Sequence, residues 1–371
     1  MSLYRIGVDV GGTNTDAALL DITAADTPGR GVLASHKAST TPDITSGIEA
    51  AIRTVLEKSA VDQKRVLSVT IGTTHFINAL VEADTRRLSH FPSGLHRILD
   101  GGVYYLDGGL EIDGREIAPS ITNKSGRQRE KSWPQESSIH EETCKKIILE
   151  EAPDLDVVCS HDIGPPGLLE RENATILNAA ILRTARKVTR GFKTAMARLK
   201  LACPLYLSQN DGTLIDADTA AQYPIKTFAS GPTNSMTGAA FLAGLDRVKI
   251  MTTDPTVSSE GKGLEPQILV VDIGGTTTDV CALLPSGFPR QAPGFVEVGG
   301  VRTAFSMPEV VSIGLGGGSK VKTESEFGDV MVGPASVGHF LTAQARVFGG
   351  PTLTATDIVV ALGKAQLGMQ A

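Results

Sequence analysis

One eight-residue stretch occurs twice in the chain, as Asp9-Val-Gly-Gly-Thr-Asn-Thr-Asp16 and as Asp272-Ile-Gly-Gly-Thr-Thr-Thr-Asp279, with six of eight positions identical. Each copy lies between two apolar, β-rich runs, so the pattern predicts two strands joined by a Gly-Gly turn. Paired glycines let several backbone N–H groups converge on an anion. The repeat therefore predicts a phosphate site, whereas a single Gly-Gly turn between strands is equally typical of an ordinary hairpin.

The acidic residues at both ends of each copy suggest a role beyond the turn. A carboxylate at the end of a buried strand suits hydrated Mg²⁺, which needs few protein ligands; Asp9 and Asp272 hold that place. Asp16 and Asp279 close the two copies. Either residue could orient an attacking group or a water near a γ-phosphate, and either could equally cap its turn.

The totals describe an ordinary folded chain. Its 371 residues, 41% hydrophobic and 20% charged, are enough for two domains with separate cores. A net charge of −6 provides no basic footprint, so nucleic acid is not an expected partner. No apolar run approaches the roughly 20 residues that span a bilayer, and no membrane contact is expected. The four cysteines are scattered without a Cys-x-x-Cys pair, which argues against a zinc or disulfide framework and favours a reduced, cytoplasmic protein.

The order of elements around each copy predicts the fold. After the first hairpin, residues 31–38 form a predicted strand, residues 44–58 an amphipathic helix, and residues 66–71 a strand leading into a helical segment, 72–80. This βββαβα order is typical of an RNase-H-like half-domain. The second hairpin is followed by a predicted third strand at 288–298, so the two halves share their opening order, and internal duplication decides the fold.

The middle of the chain is less regular. Residues 82–155 are polar with short Gly-rich turns, which leaves the completeness of the first sheet open. Residues 157–159 read as a short strand, and 170–200 as a long helix leading between domains. The expected division is therefore one domain over residues 1–200 and a second over residues 201–371.

Three further features have two readings each. The run Gly314-Leu-Gly-Gly-Gly-Ser319 lacks the sixth glycine of a dinucleotide fingerprint, and the chain has no Walker A pattern, so the run is either backbone lying flat against a ribose or planar group, or a flexible loop. His75 and the pair His161-Asp162 could be catalytic or could be structural hydrogen-bonding groups. A Ser-His-Asp triad is not expected, because no Gly-x-Ser-x-Gly elbow is present.

In this order, the motifs resemble the hydantoinase A / 5-oxoprolinase family of the actin-like ATPase superfamily. The matching segments are Asp9–Asp16, Gly72–Leu80, Leu169–Ala179, Ser230–Pro232, Asp272–Asp279, Ile313–Ser319, Val332–Pro334 and Gly349–Asp357. The resemblance implies an α/β protein with two RNase-H-like domains around a nucleotide cleft. It also implies ATP-driven opening of a small cyclic amide, with the ring carbonyl oxygen phosphorylated before hydrolysis.

The resemblance also assigns roles by position. Asp9 and Asp272 would hold Mg²⁺ through water. The phosphates of ATP would lie against Gly11, Gly12, Thr13, Gly274, Gly275 and Thr276. The adenosine would lie against Gly316, Gly317 and Gly318, and the substrate side of the cleft would hold Thr73, Thr74 and Asn78.

The family also implies a second component. Related systems need a hydantoinase B-type subunit or a fused C-terminal domain, and the second domain here is expected to be shortened at its C-terminus. Asn14 stands where the family usually has Phe. Oligomerisation is compatible with the pattern. Two alternatives stay open from the residues: a small-molecule kinase on the same fold, and a non-catalytic nucleotide-binding remnant.

Overall fold

A computed structural model describes residues 2–11, 14–39, 43–73, 138–164, 169–228, 230–245, 268–284, 287–292, 296–298, 301–303, 305, 307–323 and 330–367. Within these ranges, no helix combines the length and the apolar character needed to cross a membrane.

The first half of the chain forms a six-stranded mixed sheet. Its strands are β1 Tyr4–Val10, β2 Asn14–Asp21, β3 Val32–Ser39, β4 Val66–Thr73, β5 Leu205–Ser208 and β6 Leu214–Asp216. They lie in the order β3-β2-β1-β4-β5-β6. The pairs β1–β4 and β4–β5 are parallel, whereas β1–β2, β2–β3 and β5–β6 are antiparallel. The three antiparallel strands followed by parallel ones confirm the RNase-H-like arrangement.

This sheet corrects three expectations. It is complete among the described strands, although the sequence left that open, because β5 supplies the strand beside β4. It extends past the expected domain boundary at residue 200, since β5 and β6 belong to it. The short strand predicted at residues 157–159 does not form. Both edges of β4 are already taken by β1 and β5, so that segment has no central edge to pair with.

Helices cover and connect the sheet. They are α1 Ile44–Ser59, α2 Ile139–Glu151, α3 Leu169–Arg198, α4 Ala217–Gln222, α5 Ser230–Leu242, α6 Leu341–Gln344 and α7 Ala355–Ala361. α1 begins where the Asp43 carboxylate accepts from the N–H groups of Thr45 and Ser46, a standard N-cap. It ends at Ala60, whose left-handed backbone (φ 51°) lets its N–H bond to the carbonyl of Leu56.

The main core lies beneath one face of the first sheet. Alternate residues of β1 point into it, and Ile6, Val8 and Val10 are buried, because side chains of a strand alternate between faces. α1 contacts β1, β2 and β3, and α3 packs against α1. Burying each large aliphatic side chain contributes about 1.5–3 kcal/mol. Because this core occupies one face of the sheet, the opposite face can hold a functional site.

The second half repeats the opening of the first. Its strands are β7 Ile268–Ile273, β8 Thr278–Leu283, β9 Val296–Val298, β10 Val301–Thr303, β11 Val310–Ile313, β12 Ser319–Thr323 and β13 Val330–Ser336. β11-β8-β7 form an antiparallel sheet in the same order as β3-β2-β1, while β9–β10 and β12–β13 are two-stranded ribbons. This arrangement confirms the internal duplication.

The third strand of the second sheet is not the predicted one. The prediction placed it at residues 288–298, but β11 pairs with β8 instead. In the predicted segment, Pro289 and Gln291 make only isolated bridges, and β9 pairs with β10. Pro289 has no N–H to donate to a ladder, which disfavours a central strand there.

One face of the second sheet is apolar and exposed. The large side chains on it are Leu269, Val271, Ile273, Val311 and Ile313, each more than 40% exposed. In the first sheet, the matching face of the hairpin is buried beneath α1. Among the described residues, the two halves therefore share their strands but not the helical layer that covers them.

Candidate functional site

The two hairpins have the same geometry. In the first, Asp9 lies opposite Asp16, and the N–H of Gly11 donates to the carbonyl of Asn14 over 2.9 Å. In the second, Asp272 lies opposite Asp279, and Gly274 donates to Thr277 over the same 2.9 Å. The strand–turn–strand prediction is confirmed for both copies, and each turn places two carboxylates on one face of its hairpin.

The second carboxylate of each pair has a partner on the third strand. Lys37 Nζ lies 3.0 and 2.8 Å from the two carboxylate oxygens of Asp16. At the matching place in the second half, the hydroxyl of Ser312 donates to Asp279. Both are directly opposed cross-strand pairs. The repeats thus agree in geometry but not in charge, because a lysine neutralises only the first.

Asp9 is the most perturbed group of the site. Burial raises the pKa of its carboxyl to about 6, the neighbouring Asp16 adds to this, Lys37 opposes it, and Asp272 raises it further. Asp272 belongs to the other hairpin, so its effect on the pKa of Asp9 indicates repulsion between the two hairpins' carboxylates. The Oδ1 atom of Asp9 is also buried without a hydrogen-bond partner among the described residues. An orphaned, buried carboxylate oxygen beside a second acid fits a divalent cation.

A cavity of about 730 Å³ opens beside Asp9. Asp16, Lys37, Gly72 and Asn234 are among the residues that line it. Clefts of roughly 300–1,000 Å³ are the usual size for small-molecule sites. The cavity lies on the face of the first sheet opposite α1, and α5 forms its other wall.

Gly72 makes the close approach in this wall possible. A Cβ atom there would collide with the side-chain amide of Asn234 and lie 2.9 Å from Asp9 Oδ1. Sequence reasoning gave Asn234 no role. The structure places Asn234 in the second turn of α5, with its side-chain amide beside Gly72 and Asp9.

The triple-glycine run braces the second hairpin. The N–H of Gly317 donates to the carbonyl of Gly274 (3.0 Å), and that of Gly318 donates to Gly275 (2.7 Å). A Cβ on Gly316 would lie 2.7 Å from the hairpin backbone. The flexible-loop reading of Gly314–Ser319 is therefore wrong. The N–H groups of Gly317 and Gly318 are bound to the hairpin, so any contact with adenosine would use the face of the backbone.

The remaining predicted site residues fall into two groups, those that the structure describes and those outside the described ranges. Thr73 is buried at the end of β4, opposite Val10, and Gly275 and Thr276 lie exposed at the tip of the second turn. The other predicted residues lie outside the described ranges: Gly12, Thr13, Thr74, His75 and Asn78. The predicted helix over 72–80 also lies outside them, except that Gly72 and Thr73 belong to β4.

The duplicated strand order and the paired acidic hairpins place the chain in the actin-like ATPase class of α/β folds. The chain belongs to the hydantoinase/oxoprolinase family: the N-terminal region of that family matches residues 5–97, and its hydantoinase/oxoprolinase region matches residues 171–255 and 256–367. The described strands assign the fold, and the sequence match independently assigns the family.

Two curated relatives show how far the similarity extends. Caprolactamase subunit alpha of Pseudomonas jessenii is 24% identical over an aligned length of 411 residues. The alignment covers 97% of this chain and 54% of that protein. The acetophenone carboxylase gamma subunit of Aromatoleum aromaticum is 25% identical over 238 residues, covering 62% and 30%. The chain therefore spans about half the length of the first relative and less of the second.

Two solved structures share the fold. The ATP-dependent caprolactamase from Pseudomonas jessenii superposes with a TM-score of 0.67 at 20% identity, covering 98% of this chain and 55% of that one. Nucleotide-free acetone carboxylase, solved in a study of ATP-dependent acetone carboxylation, superposes with a TM-score of 0.65 at 17% identity, covering 99% and 56%. At these identities the superpositions establish the architecture alone.

Proposed function

We propose that this chain is the ATP-binding component of an enzyme that opens a small cyclic amide, such as a hydantoin, 5-oxoproline or another lactam. One observation carries the proposal: Asp9, at the end of the first strand of its hairpin, lines the cavity and has a buried Oδ1 atom without a hydrogen-bond partner among the described residues. Membership of the hydantoinase/oxoprolinase family and the caprolactamase relative support the substrate class.

The chemistry needs an activated amide. The ring carbonyl oxygen attacks the γ-phosphorus of ATP, and the bond to ADP breaks. One water then adds to the ring carbon, and the C–N bond opens as the nitrogen takes a proton, which leaves an acyl phosphate. A second water hydrolyses the acyl phosphate to the carboxylate and releases phosphate. The products are the open-chain amino acid, ADP and phosphate. Positioning and charge stabilisation supply most of the catalysis of such a phosphoryl transfer.

The residues divide this work. When bound, Mg²⁺ neutralises the charge that develops on the phosphates. Asp9 and Asp272 would hold its waters, and the Asp9 carboxyl is ionised for this above pH about 6. The turns would bind the phosphates through Gly11, Gly12, Thr13, Gly274, Gly275 and Thr276. The N–H groups of Gly11 and Gly274 already donate within their hairpins, so these two glycines would contribute the absence of a side chain.

Three further groups complete the proposed site. Asp16 and Asp279 would orient the reacting oxygen or the water. Thr73, Thr74 and Asn78 would face the ring substrate, and Gly316, Gly317 and Gly318 would lie against the adenosine. Lys37 forms an ion pair with Asp16, whereas the hydroxyl of Ser312 donates to Asp279.

The second half-reaction would need a partner. The curated relatives are named as subunits, alpha in one case and gamma in the other. A hydantoinase B-type subunit, or an equivalent fused domain, would supply the groups that complete hydrolysis, and the complex would work in the cytoplasm on a free small molecule.

The test is substrate-dependent ATP turnover. The chain is assayed with hydantoin, 5-oxoproline and caprolactam, with and without a hydantoinase B-type subunit. Ring-opened product and ADP are expected in equal amounts, and both are expected to fall at least ~100-fold in Asp9→Ala and Asp272→Ala. Phosphorus NMR separates this from kinase activity, which would accumulate a stable phosphorylated product. Unchanged turnover in both variants would refute the proposal.

The acetophenone carboxylase relative favours one other candidate, a component of an enzyme that carboxylates a ketone. The same assay with acetophenone or acetone and labelled bicarbonate distinguishes it. Incorporation of label with ATP consumption would identify a carboxylase component, and its absence alongside lactam opening would identify an amidohydrolase component.

A further inference from the structure

A second cluster of chemically active side chains lies where α2 meets a one-turn 3-10 helix, Ser160–Asp162. His161 is its centre. The ring Nδ1 lies 3.0 Å from Glu141 Oε2, and Nε2 lies 3.2 Å from Glu142 Oε1 and 3.5 Å from Asp162 Oδ1. The four side chains are between one-quarter and one-half exposed, so the cluster is open to solutes.

Glu141 fixes the ring. Its carboxylate accepts from the hydroxyl of Ser160, from the backbone N–H of His161 and from Arg171. Glu141 Oε2 also lies 3.0 Å from Nδ1 of His161 and accepts a hydrogen bond from it in the tautomer that carries the proton on Nδ1. The Nε2 lone pair is then directed towards the other two acids.

Three side chains bring possible metal-ligand atoms close together, one of them Nε2 of His161. Glu142, Asp162 and His161 bring their ligand atoms within 4.8 Å of one another. In a tetrahedral zinc site with bonds of about 2.0 Å, neighbouring ligand atoms lie about 3.3 Å apart. The measured 3.2 and 3.5 Å bracket that value. A carboxylate behind a ligating histidine is also the usual second layer of such a site.

We propose that His161 Nε2, Glu142 and Asp162 bind a divalent transition metal ion of the zinc type, with Glu141 as the positioning residue for the imidazole. Three protein ligands leave the fourth tetrahedral position to a water. The ion would join the first turn of α2 to the 3-10 helix, separately from the Asp9–Asp272 site.

Cys159 is not one of the ligands. It groups with Glu141 and His161, whereas Glu142 and Asp162 form the other group with His161. Its buried Sγ lies 3.9 Å from the backbone carbonyl oxygen of Glu141. Lys145 approaches the same oxygen of Glu142 only at 3.9 Å, and that exposed contact leaves the oxygen able to bind an ion.

The test is metal affinity of the purified, EDTA-stripped chain. Zn²⁺ is titrated in competition with a chromophoric chelator, and Co²⁺ is followed by its visible absorption. One tightly bound equivalent is expected, weakened at least ~10-fold in His161→Ala, Glu142→Gln and Asp162→Asn. Glu150→Gln, on the same helix but outside the cluster, is the matched control and keeps wild-type affinity. An affinity indifferent to His161→Ala overturns the proposal.

Two further readouts separate the metal from a simple ion pair. Glu141→Gln keeps all three ligands, and the loss of its second-layer role is expected to lower affinity ~10- to 100-fold. Nitrogen-detected NMR of His161 at pH 8 is expected to show a zinc-dependent shift of Nε2 alone. If both ring nitrogens stay protonated in excess Zn²⁺, the cluster is an imidazolium ion pair and the proposal fails. The Asp9→Asn/Asp272→Asn variant must retain the zinc equivalent.

Discussion

At the scale of single residues, Asp9 combines two unfavourable features: burial and an unpartnered oxygen. Burial raises its pKa to about 6, so the folded protein holds this proton more tightly than the unfolded chain does. Its contribution to stability is therefore complete below about pH 4 and is lost as the pH rises through 6. Above pH 6 the buried, ionised carboxylate of Asp9 lowers the stability of the protein, and a cation bound there would offset that loss.

Asp9→Asn should stabilise the ligand-free protein at pH 8 and change little at pH 4. The shift in pKa sets an upper limit of about 3 kcal/mol at pH 8. Urea denaturation of both proteins at the two pH values measures the difference. Asp154→Asn, at an exposed position, serves as the control and should show no pH-dependent gain. Equal stability of Asp9→Asn and wild type at pH 8 would contradict the strained carboxylate.

Gly72→Ala should displace the wall of the cavity. Its Cβ would collide with Asn234 and crowd Asp9 Oδ1, whereas a Cβ on Gly7, which lines the same cavity, would meet nothing within 4 Å. Overpacking of this kind costs about 1–3 kcal/mol. Thermal denaturation and ATP titration of both variants decide the point. Gly7→Ala should keep both properties, and matching behaviour of the two variants would show that the space beside Gly72 is unimportant.

At the scale of elements, the loop that carries Gly316 determines the shape of the second hairpin. Gly316→Ala would bring a Cβ to 2.7 Å from the backbone of that hairpin, while Gly275→Ala has nothing within 4 Å. We expect Gly316→Ala to lower ATP affinity at least ~10-fold because the turn must move, which isothermal titration measures. Gly29→Ala, outside the proposed site and with nothing within 4 Å of its Cβ, is the comparison that should keep wild-type affinity. Retained affinity in Gly316→Ala would mean that the turn does not bind phosphate.

The local sequence pattern predicted which helices and strands form better than it predicted which strands pair with each other. The two hairpins and α1 follow from alternation, Gly-Gly turns and a capped amphipathic stripe, all of which are encoded within a few residues. The partner of an edge strand is decided by tertiary packing. That is why β11 replaced the predicted strand at 288–298, and why β5 completed the first sheet from beyond residue 200. The closeness of Asn234 to Asp9 depends on α5 packing, which no local signal contains.

At the scale of the whole molecule, α5 links the two halves. It contacts β4 of the first sheet and β7 of the second, and its residues Asn234 and Gly238 line the cavity beside Asp9. A ligand that draws the two acidic hairpins together would therefore act on a helix that packs against both sheets. This explains how duplicated halves with unequal helical layers can still present one site.

The decisive prediction concerns coupling between the halves. Asp9→Asn, Asp272→Asn and the double variant are compared by the thermal stabilisation that Mg·ATP produces at a fixed concentration. A hundredfold excess over the dissociation constant stabilises wild type by about 2.7 kcal/mol. If both carboxylates hold the waters of one ion, each single variant loses most of this gain and the double variant loses little more. If the hairpins bind independently, the losses add within about 0.5 kcal/mol, as for distant sites. Additive losses would contradict a shared site, because two carboxylates that hold the waters of one ion cannot lose its binding energy independently.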